Sequence, residues 1–250
     1  AGEAVAGDGG QAAVEAGATE VEHSPQLWVV VGGAARGGII VREGADTRSA
    51  MLPRLRPGAV VVDLERVGDR IRYVKLSGGG PQEGWVSLKL ADGQALLTPG
   101  RACEVLGSRQ QGGVRVREEE SLDSEDLARL CTGALIFELE VRGNRMHYVK
   151  IFGDGPVAGW VNRTLPSGQD LVVVAQLWLV VGGKSRGGVV VRFFRHERSP
   201  MQAERLQPGS VVLQRERKEG RLLYSLVTGA GPQGGWVRVD SLEKRLLVPI

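Results

Sequence analysis

Apolar residues in this chain form short runs that alternate with polar or glycine-rich segments. Residues 59–64 and 70–76 are two such runs, rich in β-branched side chains and joined through Gly68 and Asp69, which predicts a β-hairpin. The second run, IRYVKL, carries apolar and polar side chains on both faces, so its pattern leaves the core-facing side open. No stretch has the amphipathic period of a helix of three or more turns. The pattern therefore predicts an all-β protein.

The same pattern occurs three times along the chain. Tyr73, Tyr148 and Tyr224 are 75 and 76 residues apart, and the tryptophans of three G-W-V motifs have the same spacings. Each of these tryptophans follows a glycine-rich turn: GGGPQEGW, GDGPVAGW or GAGPQGGW. Copies of about 75 residues with about five short strands each predict three small barrels or sandwiches. The tryptophans are Trp85, Trp160 and Trp236.

The spacings divide the chain into four parts. Residues 1–24 form an acidic, Ala/Gly-rich tail with five carboxylates and no lysine or arginine, and we expect this tail to be flexible. The three copies follow as residues 25–98, 99–173 and 174–250. Within each copy, the segment before an Arg-Leu pair predicts a short helical turn, as in SPMQAERL at 199–206, where the serine would be the N-cap.

The order of motifs within a copy resembles the bacterial-type SH3 (SH3b) family. Each copy has a G-G-x-x-V-R strand, an R-L-x-x-G turn, a hairpin and a G-W-V strand. The resemblance covers about 225 of the 250 residues and implies a five-stranded SH3-like barrel per copy. The loop after the first motif departs from the family, since it reads EGADTRS, EEESLDS or FFRHERS instead of S-G-P-S. That loop helps to form the family's ligand groove, so the resemblance assigns no ligand-binding residue.

A second resemblance is narrower. Segments such as VREG, RLxxGA and HYVKxxGxGPxxGWV are similar to tandem repeats in proteins of dinoflagellate algae. This resemblance implies a plastid protein, thylakoid-associated and extrinsic, from which a transit peptide has been removed before Ala1. It also implies a peripheral subunit of a photosynthetic complex such as a photosystem.

The titratable residues form no recognisable catalytic or metal-binding motif. His23 lies in the tail, His147 and His196 each occur in one copy only, and none of the three has metal-ligand spacing to other ligands. The turn at 153–158 approximates a dinucleotide-binding G-x-G-x-x-A, but a strand follows where that fingerprint needs a helix. We therefore predict that the protein is not an enzyme and has no cofactor or metal site.

Most of the aromatic residues recur at equivalent positions. Trp28 and Trp178 begin the first and third copies, and Cys103 occupies the same place in the second. The repeated aromatics can fill barrel cores, or some of them can line an SH3-type groove for peptides. We take Trp28 and Trp178 as candidate partner-binding residues and the others as structural. The structural set is Tyr73, Trp85, Tyr148, Trp160, Tyr224 and Trp236.

Charge differs strongly between the copies. Formal net charge is −5 for the tail, +3 for residues 25–95, −2 for 96–170 and +7 for 171–250. The basic third copy suggests contact with an acidic protein surface, a phosphate or an anionic lipid. Interleaved stacking aromatics are lacking, which disfavours nucleic acid. The basic candidates for partner binding are Arg192, Arg195, Arg198, Arg215, Arg217, Lys218 and Arg221.

These observations predict a non-catalytic interaction or assembly protein. The favoured interpretation is a peripheral, membrane-extrinsic subunit of a large complex. One alternative is a stand-alone peptide- or glycan-binding SH3b module, which an exposed aromatic groove repeated in all three copies would favour. A second alternative is a protein whose basic surface binds nucleic acid or anionic lipid. The most apolar stretch, 171–181, contains Gln176 and is shorter than the roughly 20 residues that cross a membrane, so no transmembrane segment is predicted.

Overall fold

The computed structural model describes residues 24–107, 112–241 and 244–250. The chain is all-β, as its sequence pattern predicts, and forms three antiparallel, barrel-like sheets of seven strands each. All but the last residue of the predicted acidic tail lies outside the described residues. In the part of the chain that the structure describes, no helix is long and apolar enough to cross a membrane.

The three sheets have one strand order, in which the third, second, sixth, fifth, fourth, first and seventh strands of a copy are successive neighbours. The first sheet contains β1 (Leu27–Val30), β2 (Ile39–Arg42), β3 (Met51–Leu55), β4 (Val60–Val67), β5 (Arg70–Ser77), β6 (Glu83–Ser87) and β7 (Leu97–Gly100). The second contains β8 (Ala102–Val105), β9 (Val114–Arg117), β10 (Asp126–Leu130), β11 (Leu135–Arg142), β12 (Arg145–Phe152), β13 (Ala158–Asn162) and β14 (Val172–Val174). The third contains β15 (Leu177–Val180), β16 (Val189–Arg192), β17 (Met201–Leu206), β18 (Val211–Lys218), β19 (Arg221–Thr228), β20 (Gly234–Arg238) and β21 (Leu247–Pro249).

The predicted hairpin is present in every copy. In the first, β4 and β5 are joined by Gly68 and Asp69, and Gly68 has a φ of 58°. The third copy has Glu219 and Gly220 between β18 and β19, and Glu219 takes a φ of 52°, an uncommon left-handed conformation for a residue other than glycine. The two-residue turns therefore keep the strand register although their sequences differ.

The predicted helical turn before each Arg-Leu pair is wrong. In the third copy this segment is the strand β17, which pairs with β16 in an antiparallel ladder. Ser199 caps no helix, and its hydroxyl instead accepts a hydrogen bond of 2.8 Å from the backbone N–H of Phe194. The ladder pairs Val189 with Leu206 and Val190 with Arg205, which gives the segment backbone partners on the neighbouring strand that a single helical turn cannot provide. In the described chain, the helical segments are the 3-10 turns Ala34–Arg36 and Lys184–Arg186.

The count of about five strands per copy is too low by two, because the predicted helical turn is a strand and each copy also ends in an additional short strand. β7, β14 and β21 pair with the first strands β1, β8 and β15, and each sheet then contains seven strands. The polypeptide passes from β7 to β8 through Arg101 alone. A one-residue connection holds the first two copies close together, so they cannot separate as freely linked domains.

Each copy encloses a hydrophobic core of its own. In the first, Trp28 and Val30 of β1 pack with Ile71 and Tyr73 of β5. The second and third copies have matching clusters around Tyr148 and Tyr224.

A fourth apolar cluster lies where the three copies meet, and we call it the central cluster. Leu27 and Val29 of β1 face it, so all four residues of LWVV are buried. Val74 and Leu76 of β5 pack against it as well, which explains why IRYVKL has no single apolar face: both faces are covered. Its buried members are Leu27, Val29, Val60, Val62, Ala102, Leu135, Phe137, Val149, Ile151, Leu177, Leu179, Val211 and Leu213.

One polar network interrupts the central cluster. Glu104 of the second copy accepts a hydrogen bond of 2.6 Å from Arg215 Nη1 of the third copy, and Arg215 Nε donates to Ser225 Oγ at 2.9 Å. The pair is partly screened from solvent, since the side chains of Glu104 and Arg215 are 18% and 37% exposed. The other two copies have apolar residues at the three equivalent positions. Val29 and Leu179 are equivalent to Glu104, Leu64 and Leu139 to Arg215, and Val74 and Val149 to Ser225.

Candidate ligand-binding cleft

The loops between the second and third strands of each copy differ most between the copies, and we call them the outer loops. They span residues 43–50, 118–125 and 193–200. One framing contact is shared by all three: an arginine at the end of the preceding strand donates from Nη1 to a serine carbonyl near the end of the loop. These pairs are Arg42 with Ser49, Arg117 with Ser124 and Arg192 with Ser199.

A second repeated arginine lies under each outer loop. Arg70, Arg145 and Arg221 each follow the hairpin turn and begin the fifth strand of their copy. Burial is the largest cause that lowers the pKa of all three guanidinium groups, and nearby arginines lower it further. Arg145 and Arg221 are buried and Arg70 is half-buried, so each guanidinium needs acceptors from the surrounding protein to replace lost water.

The copies satisfy this arginine in different ways. Arg145 Nε and Nη2 donate to the backbone carbonyls of Glu120 and Glu119 at 2.9 and 3.1 Å. Arg221 Nη2 lies 3.6 Å from a carboxylate oxygen of Glu197, which also pairs with Arg238.

In the first copy, the carbonyl acceptors of Arg70 are more distant. Its Nη1 donates to Ser87 Oγ at 3.0 Å, while Nη2 reaches the carbonyls of Trp85 and Gly44 only at 3.4 and 3.5 Å. Its Nε is buried and has no hydrogen-bond partner among the described residues.

A cleft of about 680 Å³ opens beside Arg70 in the first copy. Five of the residues that line it are cationic, and none of its described lining residues is acidic. Exposed apolar side chains, Val31, Ile40 and Leu90, form part of its wall. The cleft therefore combines apolar surface with a positive rim, which is the chemistry that holds an anionic ligand with an apolar part. The cationic lining residues are Arg36, Arg42, Arg54, Arg70 and Lys89.

The two candidate tryptophans are placed in barrel cores. Trp28 is 7% exposed, and its Nε1 donates to Asp63 Oδ2 at 3.3 Å. Trp178 is 3% exposed, and its Nε1 donates to Gln214 Oε1 at 2.9 Å. The face of Trp178 is further covered by the guanidinium of Arg217, 5.1 Å from the ring centroid. Neither indole presents a free face or N–H to a partner in this conformation.

The seven basic candidates separate into two groups. Arg192, Arg195, Arg198 and Arg221 lie in or under the outer loop of the third copy, whereas the other three are on β18. Several of these side chains already have internal contacts. Arg192 bonds the Ser199 carbonyl, Arg195 pairs with Glu219 at 3.1 Å, Arg215 pairs with Glu104, Arg217 covers Trp178 and Arg221 faces Glu197. Arg198 and Lys218 are exposed.

The repeated tyrosines are buried, and the hydroxyl of each forms a hydrogen bond with a glycine-rich turn. Tyr73, Tyr148 and Tyr224 donate from their hydroxyls to the carbonyls of Pro81, Pro156 and Pro232 at 3.2, 3.1 and 2.9 Å. Burial raises the pKa of each tyrosine. Of the G-W-V tryptophans, Trp85 and Trp160 are buried and Trp236 is half-buried.

Sequence reasoning missed most of the cleft. It nominated Arg221 as part of a basic run, but not its equivalents Arg70 and Arg145, nor the rim residues Arg36 and Lys89. One signal was available: an arginine directly follows the hairpin turn in G-D-R, G-N-R and E-G-R. A position that stays cationic while its copy changes net charge from +3 to −2 to +7 indicates a role in the fold or in binding.

Compared with known proteins, the chain matches no family model, and no curated protein is similar enough to count as a match. Across the described residues, no three His, Cys, Asp or Glu side chains are grouped closely enough to hold a metal ion. The site must therefore be interpreted from its own geometry.

Proposed function

We propose that this protein is a non-catalytic assembly protein in which three SH3-like barrels act as one body. The motif order and the repeated antiparallel sheets support the SH3-like assignment. The one observation that carries the functional proposal is the contrast between the shared central cluster and the divergent outer loops. A rigid body with three different projecting loops suits a protein that holds several neighbours in fixed positions.

The outer loops would offer chemically distinct contacts. The loop at 118–125 has five carboxylates, whereas the loop at 193–200 has Phe193 and Phe194 exposed at 56% and 60% beside Arg195 and Arg198. Exposed aromatic and arginine side chains are common at the centres of protein interfaces. Neighbouring protein subunits are therefore the proposed partners, and membrane association would come through them.

The stand-alone peptide- or glycan-binding module is less well supported. It calls for an exposed aromatic groove in each copy, but Trp28 and Trp178 are buried and their N–H groups are bonded internally. The basic-surface alternative is weakened by the internal contacts of Arg215, Arg217 and Arg221. A plastid, thylakoid-associated location stays a prediction from the resemblance.

Loop exchange between copies tests the proposal, because the three outer loops have equal length and share the framing contact. Chains in which 118–125 or 193–200 carries the sequence of 43–50 should fold normally. Tagged native protein, gently extracted from the cells that make it, should migrate with a complex much larger than its own 26.8 kDa. At least one of the two loop-exchanged chains should no longer migrate with that complex. Recovery of the native protein as a free monomer, or full retention of both exchanged chains, would contradict the proposal.

A further inference from the structure

Among the described residues, the third copy brings a carboxylate to the repeated arginine, and the first copy does not. Glu197 lies 3.6 Å from Arg221 Nη2, whereas the acceptors near Arg70 Nη2 are the carbonyls of Trp85 and Gly44, at 3.4 and 3.5 Å. These two contacts are long and weak, so a carboxylate beside Arg70 Nη2 would form the stronger, charge-assisted hydrogen bond.

Two positions account for the difference between the first and third copies: position 47, and Ser87, which stands where the third copy has Arg238. Thr47 stands in the first outer loop where Glu197 stands in the third. Thr47 lines the cleft, and its short neutral side chain leaves open the place that the Glu197 side chain fills over Arg221 and Arg238. The third copy therefore shows, within one chain, how a carboxylate occupies this position.

The surroundings of Arg70 add charge and apolar surface. Arg36, Arg42, Arg54 and Lys89 line the same cleft. The nearby carboxylates are Asp69, which pairs with Lys89 at 3.2 Å, Asp46, which raises the pKa of Arg70, and Asp92, which accepts a hydrogen bond of 2.9 Å from the backbone N–H of Gln94. Three carboxylates near five cations leave a positive field over the cleft.

We propose that the cleft of the first copy binds an acidic peptide segment with apolar side chains, and that one peptide carboxylate lies on Arg70 as Glu197 lies on Arg221. The cleft volume of about 680 Å³ and its exposed Val31, Ile40 and Leu90 fit several residues of chain rather than a lone small anion. This inference rests on the proposed assembly function and names the chemistry of one partner.

Thr47→Glu tests the proposal by placing the carboxylate of the third copy into the first. The probe is a fluorescein-labelled ELEVEL peptide, measured by fluorescence anisotropy with the full chain at physiological ionic strength, with QLQVQL as the uncharged control. ELEVEL should bind the unaltered protein at least about tenfold more tightly than QLQVQL does. T47E should weaken ELEVEL binding about tenfold or more, because its own carboxylate occupies Arg70.

Thr47→Gln is the matched control, since it adds the same bulk without the charge. T47Q should keep ELEVEL affinity within about threefold of the unaltered protein. T47E should also raise the thermal midpoint above that of T47Q, because Arg70 gains an internal acceptor, and this readout shows that T47E is folded. Equal affinities of T47E and T47Q for ELEVEL would overturn the proposal.

Glu197→Thr is the converse change and should open a second site. Removal of the carboxylate over Arg221 should raise the stoichiometry from one ELEVEL per chain to two. An unchanged stoichiometry in folded E197T protein would count against the role given to position 47.

Two further outcomes would identify another occupant and overturn the proposal. One is displacement of ELEVEL by inorganic phosphate at concentrations similar to those of unlabelled peptide, which would indicate a general anion site. The other is ELEVEL binding that appears only after the five carboxylates at 1–24 are changed to amides, which would assign the cleft to this chain's own acidic segment. T47E protein that loses ELEVEL but still migrates with its native complex would separate this inference from the assembly function, which would remain.

Discussion

The central cluster and the outer loops show how differently buried and exposed parts of a repeated chain can change. Most positions of the central cluster are apolar in all three copies, because the cluster is a close-packed core to which every copy contributes. The outer loops keep the framing arginine–serine contact and little else, so one is acidic and another carries exposed phenylalanines and arginines. The comparison agrees with the proposal made above, in which the central cluster holds the three copies together and the outer loops contact other proteins.

The Glu104–Arg215–Ser225 network is the exception within the cluster. It replaces apolar residues at the junction between the second and third copies only. An ion pair that forms at one junction makes this junction different from the other two. Three purely apolar junctions would lack such a difference. We expect this network to contribute to the correct pairing of the copies more than to total stability.

The largest expected effect is that of Phe137→Ala in the central cluster. Phe137 is fully buried, and the close approach of the first copy depends on Gly100, where an added Cβ would lie 2.4 Å from Phe137 Cζ. Removal of the ring should lower the free energy of unfolding by about 3–5 kcal/mol, measured by urea denaturation. All three copies should still unfold in one transition, because they share the cluster.

Phe193→Ala is the matched control, since it removes the same ring from an outer loop. It should change the free energy of unfolding by less than about 0.5 kcal/mol. Three separate unfolding transitions in the unaltered protein, or equal effects of the two substitutions, would refute the view that the copies form one cooperative body.

An intermediate effect is expected for Arg215→Leu, which introduces the leucine found at this position in the other copies. The substitution leaves the Glu104 carboxylate partly buried without its cation, and should cost about 1–2 kcal/mol in the free energy of unfolding. The triple change Glu104→Val, Arg215→Leu and Ser225→Val restores the apolar pattern of the other copies. It should return stability to within about 1 kcal/mol of the original. A triple variant that is no more stable than R215L would show that the network itself stabilises the junction.

The smallest effect concerns His147 on the hairpin of the second copy, where the ring stacks on Trp160 at 5.0 Å. Burial is the largest cause that lowers its pKa; Arg142 lowers it as well, whereas Glu140 raises it. The unfolded chain therefore binds a proton more readily than the folded protein, so stability should fall as the pH decreases below about 6.5.

His147→Leu, which introduces the residue of the third copy at Leu223, should remove that part of the pH dependence. Thermal midpoints of the two proteins between about pH 7.5 and 5.5 provide the measurement. Parallel curves for the two proteins would exclude a contribution from His147.

Local chemistry was sufficient to predict much of the fold. The 75-residue spacing and the G-D, G-N and E-G turns predict three copies with a hairpin in each, because two-residue turns favour antiparallel pairing wherever they occur. The segment at 199–206 was predicted incorrectly because a capping serine is a local signal, whereas the ladder between β16 and β17 is formed by residues distant in sequence. The candidate site was largely missed, because a cleft depends on which side chains approach from separate strands.

The sequence by itself determined the hairpins, their turns and the threefold repetition, since these follow from side-chain preferences within a few residues and from the spacing of repeated motifs. Only the tertiary structure decided that Leu27 and Val29 face the other copies while Trp28 and Val30 face their own core. Alternation along a strand defines two faces, but the packing of distant segments decides what covers each of them. For the same reason Arg70, identical in type to Arg145 and Arg221, differs from them in the acceptors that the folded outer loops bring to it.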